Sequence, residues 1–324
     1  MCSSDLVATS GELLAWGRHE EGGGTGASLY RFDASGTVLG LQTADHLPEQ
    51  LLQDGEGNVL GYDATPTSAL VQYQPRQGRG WTLRSTPRWA FPPVEAWDPF
   101  HYQTVALAPQ GGAFITGFTR GQGTILGQVV GRPEQPSPFV LKLSAEGKLE
   151  RSWELPDSEA ALRLIGASAA GSLVGQGHYV GRLRWPGGAL NSGDQEKSRP
   201  FLMSLDAQGR LAWVRPLPWP MDTGLMAVSA QGRTAVVNGF NQAFGRDASA
   251  SAVHVRVYDA QGSLEWSRTF APTDTSGSVF VGGVDWSGEQ LVLGGSFYGA
   301  VHFGTGGVQQ GPAATGRGFV LKFR

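Results

Sequence analysis

An all-β fold made of one repeated four-stranded unit is predicted by three observations. A phrase recurs, as FVLKLSAEGKLERSWEL from 139, FLMSLDAQGRLAWVRPL from 201, VHVRVYDAQGSLEWSRTF from 253 and more faintly LYRFDASGTVLGL from 29. Short apolar runs ending in glycine recur at Gly17, Gly61, Gly117, Gly177, Gly239 and Gly295, 44 to 62 residues apart. Glycine is 48 of 324 residues and charged residues are 16%, against averages of about 7% and about 25%, which suits a turn-rich β chain.

The elements follow in the order a, b, c, d. Strands a and b form a hairpin turning at Gly57, Gly111, Gly171, Gly232 or Gly288, and strand b closes on the glycines above. Strand c alternates: Phe201, Met203 and Leu205 fall on one face and Leu202, Ser204 and Asp206 on the other, the period of a strand. The c–d turn has one design, Asp33 to Gly36, Ser144 to Gly147, Asp206 to Gly209 and Asp259 to Gly262. Its Asp or Ser accepts a backbone N–H two residues on, and its Gly tolerates positive φ. Strand d then carries Trp153, Trp213 and Trp266. One such sheet cannot bury both faces alone, so neighbours stack and these tryptophans are expected between them. A four-stranded repeat of this length is the signature of a β-propeller. Six four-stranded blades are read near 7–50, 51–102, 103–162, 163–223, 224–278 and 279–324, in a single domain, with seven allowed in an intact protein.

Both termini carry expectations of their own. MCSSDL is similar to the translated end of a common short-read sequencing adapter, which marks residues 1–6 as a scar and assigns Cys2, the one cysteine, to it. The sixth unit stops after a strand c, GFVLKFR. A strand d encoded upstream of Leu6 is therefore expected to complete it, so that no sheet edge is left open, which makes the chain N-terminally truncated.

The last unit, LVLGGSFYGAVHFGTGGVQQGPAATGRGFVLKF, resembles the Gly-rich propeller repeats of bacterial exported and cell-surface proteins, which run G-x-F-x-G-x-x-x-F-G, a bend, F-V-x-K-L and D-x-x-G. The resemblance covers units three to six. It implies a propeller and export, to an extracellular, cell-surface or periplasmic place, and supplies no catalytic motif. The D-x-x-G-x-x-x-W phrase is also similar to the tryptophan-docking repeats of quinoprotein dehydrogenases and outer-membrane assembly propellers. It is one residue short of that spacing and lacks the adjacent cysteine pair of many of those dehydrogenases.

Several function classes are disfavoured. Net charge is −3 with no basic run, so nucleic acid is not an expected partner. No apolar run approaches the ~20 residues of a membrane-spanning helix. The six histidines show no metal spacing, and there is no G-x-S-x-G elbow, phosphate loop or zinc pattern.

The unit order puts the short a–b and c–d turns at one end and the b–c and d–a connections at the other. The b–c connections of units three, four and six run to about twenty residues, and long loops are where function concentrates. Two candidate sites lie at that end. Asp45, Asp98, Asp157, Asp222 and Asp274 fall in successive d–a connections; such carboxylates suit calcium through oxygen ligands, and Asp is equally a turn former ahead of a strand. In RWAFPPVEAWDPFHYQ, residues 88–103, Trp89, Phe91, Trp97, Phe100 and Tyr102 stand with His101, a platform for a glycan or a protein partner or a private mini-core. The expectation is a non-catalytic binding or scaffold module with no cofactor beyond calcium. The rivals are a propeller glycoside hydrolase or lyase using rim carboxylates, and a quinoprotein-like or envelope-assembly propeller.

Overall fold

Glycine-punctuated runs of alternating residues do become antiparallel sheets. The computed structural model describes residues 6–8, 12–21, 24–33, 37–44, 50–53, 59–63, 69–75, 81–90, 100–108, 112–119, 121–125, 127–131, 137–154, 159–185, 188–193, 198–218, 224–238, 252–273, 277–304, 308–311 and 317–323. Ahead of Thr104, apart from Asp33 and Thr37, it describes the backbone alone. Among the described residues there is no helix, and so none long and apolar enough to cross a membrane.

Sheet one is β1 (Leu6–Ala8), β2 (Glu12–Glu21), β3 (Gly24–Asp33) and β4 (Val38–Ala44). Sheet two is β5 (Gln50–Gln53), β6 (Val59–Asp63), β7 (Ala69–Pro75) and β8 (Trp81–Ala90). Sheet three opens with β9 (Phe100–Leu107) and β10 (Ala113–Thr119), passes through a two-stranded ribbon of β11 (Gly123–Ile125) and β12 (Gln128–Val130), and closes with β13 (Ser137–Leu143) and β14 (Leu149–Glu154). Sheet four repeats that plan: β15 (Glu159–Ala167), β16 (Leu173–Val180), the ribbon β17 (Arg182–Trp185) and β18 (Gly188–Asn191), then β19 (Arg199–Leu205) and β20 (Leu211–Pro216). Sheet five is β21 (Gly224–Val228), β22 (Thr234–Asn238), β23 (Val253–Tyr258) and β24 (Leu264–Pro272). Sheet six has β25 (Ser278–Ser287), β26 (Gln290–Tyr298), the ribbon β27 (Ala300–His302) and β28 (Val308–Gln310), and β29 (Arg317–Phe323). Sheets one to five are antiparallel meanders in the expected a-b-c-d order, and sheet six shows a, b and c, with β29 pairing with β26 alone among the described residues. One difference concerns the b–c connections of units three, four and six: open loops were expected, and each holds a ribbon.

The chain divides into two compact units, residues 48–222 with 230–232, and residues 1–47, 223–229 and 233–324. Within the first, β15 runs across β9, β10 and β13, so sheet four packs on sheet three. Phe114, Val140, Leu162, Ile165, Phe201, Met203 and Val214 are buried in the core between them. Within the second, β25 runs across β21, β22, β23 and β24, and lies beside β1. Val253, Val255, Val257, Phe270, Val279, Leu291, Leu293 and Phe297 form that core. Fully burying one such side chain contributes about 1.5–3 kcal/mol.

Two repeated devices explain the motifs. The glycine that closes strand b lies opposite an aromatic of strand c, in the pairs Gly117–Phe139, Gly177–Phe201 and Gly295–Phe319. On its other side strand a bulges, extruding Gln103, Arg163 and Gly282 from the register. A Cβ at Gly177 would strike the Ala161 carbonyl oxygen and reach the Phe201 ring at 3.0 Å, and one at Gly295 would strike the Phe280 carbonyl oxygen and reach the Phe319 ring at 2.8 Å. Only glycine lets the bulged strand and the ring close in together.

The second device is the d-strand pair of Trp and Arg. Trp153 lies 6.3 Å from Phe114 of its own sheet, and a Cβ at Gly209, in the c–d turn of sheet four, would fall inside its indole. Trp266 of sheet five packs 5.7 Å from Phe323 of sheet six. Both tryptophans therefore sit between stacked sheets, as expected. Arg151, Arg215 and Arg268, two residues away on the same face, lie 5.6, 5.9 and 5.7 Å over Trp153, Trp213 and Trp266. Sheet three places Arg before Trp, and sheets four and five place it after.

Candidate binding face

The two ends of the sheets are built differently, beginning with the backbone. At the c–d turns, Gln208 N donates to Asp206 Oδ1 at 3.0 Å, Gln261 N to Asp259 Oδ1 at 2.9 Å and Glu146 N to Ser144 Oγ at 3.2 Å. Arg210 N and Ser263 N, four residues on, donate to the same Asp oxygens at 2.8 and 2.7 Å. Gly147, Gly209 and Gly262 have φ of 76°, 75° and 76°. The backbone N–H of Arg210 holds the Asp206 carboxyl below its ordinary range, its guanidinium adds to this, and the Ser144 hydroxyl does most to lower Glu146. At the a–b turns, Arg233 donates to Glu265 Oε2 at 2.6 Å and to the Glu289 carbonyl oxygen at 3.3 Å, and covers the Trp286 ring at 4.8 Å. Trp286 Nε1 donates to the Ala227 carbonyl oxygen at 3.2 Å, joining sheet six to sheet five. Turns saturated in this way leave little polar capacity for a ligand.

The b–c end carries the three ribbons. In sheet three, Ser152 Oγ donates to Gln128 Oε1 at 2.8 Å and Gly131 N to Glu154 Oε1 at 2.9 Å, which lays β12 along strand d. Val129 remains 61% exposed on it. In sheets four and six, strand b ends on a positive-φ glycine, Gly181 (67°) or Gly299 (63°), and its carbonyl oxygen accepts the N–H that closes the ribbon, from Ser192 or Gly311, at 2.8 Å. Two residues before that glycine stand Tyr179 and Phe297, 6.0 Å from Phe201 and 5.3 Å from Phe303. Phe303 also lies 4.9 Å from Phe319 and 5.9 Å from Phe270. The aromatics and glycines of the repeat motif thus fold the ribbon back onto its sheet. Burial pushes the Tyr179 hydroxyl up, against the opposing charge of Arg199. In sheet six the ribbon also pairs with sheet five, Ala271 opposite His302 and Pro272 opposite Val301, so that one sheet runs through six strands.

The outward residues of the sheet-four ribbon are Arg182, Arg184, Ala189 and Asn191, all exposed. Leu183 is 2% exposed, and Trp185 and Leu190 pack on the same core. Sequence reasoning missed this ribbon, although RLRWPGGALN alternates charged with apolar residues around a Pro-Gly-Gly turn, the signal of a hairpin.

The residues expected to form the site are placed only in part. Trp89 lies on β8 opposite Leu70, and His101 and Tyr102 on β9 opposite Phe118 and Gly117; their side chains lie outside the described residues. Strands thus reach further into 88–103 than the sequence predicts. Trp97, Asp98, Asp45, Asp157, Asp222 and Asp274 lie outside the described residues. Among the described residues no group of three or more His, Cys, Asp or Glu is placed to hold a metal ion.

No protein-family model and no curated protein matches the chain. Solved structures similar to it include the Cps50 (Swd1) β-propeller domain of Myceliophteria thermophila, at TM-score 0.46 and 9% identity, covering 90% of this chain and 93% of that one. An α-L-arabinofuranosidase of Clostridium thermocellum is similar at TM-score 0.44 and 11% identity, covering 82% and 93%. A PL25 ulvan lyase bound to a GlcA–Rha3S unit is similar at TM-score 0.44 and 8% identity, covering 95% and 78%. Nothing about activity follows from likeness of this degree.

Proposed function

We propose that the six sheets are the blades of a β-propeller of the bacterial exported or cell-surface type, serving as a non-catalytic binding or scaffold module that engages its ligand at the b–c end. The contrast between the ends of the sheets carries this reading. One end is closed by short turns whose side chains are spent on the turns themselves, while the other raises ribbons in three units and leaves polar side chains of one of them facing solvent. Sites set on loops of a rigid scaffold are the common arrangement for recognition. The stacking of strand a across the preceding sheet and the repeat of a, b, c and d support the propeller.

The test is a panel of neutral and acidic glycans offered to the full chain, read for both binding and turnover. The expected result is binding without product, weakened by substitutions on the ribbons and unchanged by Lys148→Ala on a c–d turn. Turnover abolished by Asp98→Asn or Asp157→Asn would instead make the protein a glycoside hydrolase or lyase.

A further inference from the structure

We propose that the outward face of the β17–β18 ribbon binds an acidic polysaccharide, whose carboxylate or sulfate groups are held by Arg182 and Arg184; this rests on the b–c binding reading and names its ligand class. Strand periodicity is the first ground. Leu183 and Trp185 turn into the core, so Arg182 and Arg184 share the opposite face with their Cα atoms about 7 Å apart. The ribbon is held by the Ser192 N–H on the Gly181 carbonyl and by Trp185 packed over Gly188, where a Cβ would meet the ring at 2.7 Å. Two guanidinium groups are thus presented from a fixed backbone, which lowers the ordering cost of binding.

Their partners are the second ground. Several described arginines are committed: Arg151 to the Gln208 carbonyl, Arg210 to Asp206, Arg233 to Glu265, and Arg268 between Trp266 and Phe323. Among the described residues, the side chains of Arg182 and Arg184 make no hydrogen bond and no ion pair. Arg163 of the same sheet, extruded by the bulge of strand a, is exposed and equally uncommitted among the described residues.

The surroundings choose the ligand. Guanidinium forks bind carboxylate and sulfate bidentately, and two forks side by side on a strand suit a polymer with repeated anions better than one small anion. Among the described residues the rest of the face is Ala189 and Asn191, without the aromatic or aliphatic pocket that a protein partner's hot spot fills. A chain of net charge −3 without a basic run lacks the dense positive surface of a nucleic-acid binder.

The experiment is affinity electrophoresis of the full chain through gels holding polygalacturonate, dextran sulfate, neutral dextran or poly-glutamate. Retardation by polygalacturonate or dextran sulfate, and none by dextran, is expected. The double variant Arg182→Gln, Arg184→Gln should lose tenfold or more in affinity at an unchanged melting temperature, while Arg182→Lys, Arg184→Lys keeps part of it. Which polyanion retards more identifies carboxylate or sulfate as the group bound. Absence of retardation by both, undiminished retardation of the Gln variant, or stronger retardation by poly-glutamate would overturn the proposal. Equal binding of a neutral glycan by wild type and variant would overturn it too, while leaving the b–c binding reading in place.

Discussion

The c–d turn of sheet four and the ribbon of the same sheet are both short, glycine-bearing and exposed, yet they use their charged side chains in opposite ways. At the turn, Arg210 donates to Asp206 Oδ2 at 2.8 Å, and Asp206 holds the backbone N–H groups of Gln208 and Arg210. On the ribbon, Arg182 and Arg184 project from a strand held by other residues, and among the described residues nothing takes their charge. The difference teaches where stability and recognition separate: groups satisfied within the fold shape it, and groups fixed in place but unsatisfied remain for a ligand.

The largest effects should follow from breaking the turn end. Trp286 is 8% exposed, lies under Arg233 and donates to the Ala227 carbonyl oxygen; Trp286→Ala should cost about 3–5 kcal/mol by urea unfolding. Gly209→Val meets two obstacles, a φ of 75° and the Trp153 indole, and a loss of about 2–4 kcal/mol is expected in the same assay. Arg233→Ala removes a partly buried ion pair and a cation–π contact, and about 1 kcal/mol should be lost.

A smaller effect is expected with acid. The carboxyl of Asp206 is held below its ordinary range, chiefly by the Arg210 backbone N–H. A group depressed in the folded state adds stability above its ordinary pKa, and that stability is lost as pH falls through the folded value. Melting temperature should therefore fall as pH drops below about 4, and Asp206→Asn should flatten part of that slope. The smallest effect sharpens the comparison from the other side: Arg182→Gln with Arg184→Gln should shift unfolding by no more than about 0.5 kcal/mol, the usual range for surface substitutions.

Much of the turn end was legible in the sequence because its determinants are local. Asp206 and Gly209 lie within one turn, and the tryptophans recur at nearly one phase. The reason strand b closes on glycine was not legible, since it lies in pairing across three strands: Gly177 faces Phe201 on one side and the bulge at Arg163 on the other. The Arg and Trp of strand d were half legible. Trp153, Trp213 and Trp266 stood out, and the arginines that cover them did not, because the two residues exchange places between sheets three and four. Expecting a loop over 182–191 confused length with absence of structure. Of the site residues anticipated at the b–c end, Trp97, Asp98 and the other aspartates lie outside the described residues and Trp89, His101 and Tyr102 are described in backbone alone, and the arginines of the ribbon were missed for want of the hairpin that aligns them.

The central claim, that recognition belongs to the b–c end and stability to the turns, is tested most directly by hydrogen–deuterium exchange of the full chain with and without polygalacturonate. The account predicts slowed exchange at 181–192 and unchanged exchange at 206–210 and 259–263. Slowing at those turns, with none on the ribbon, would contradict it.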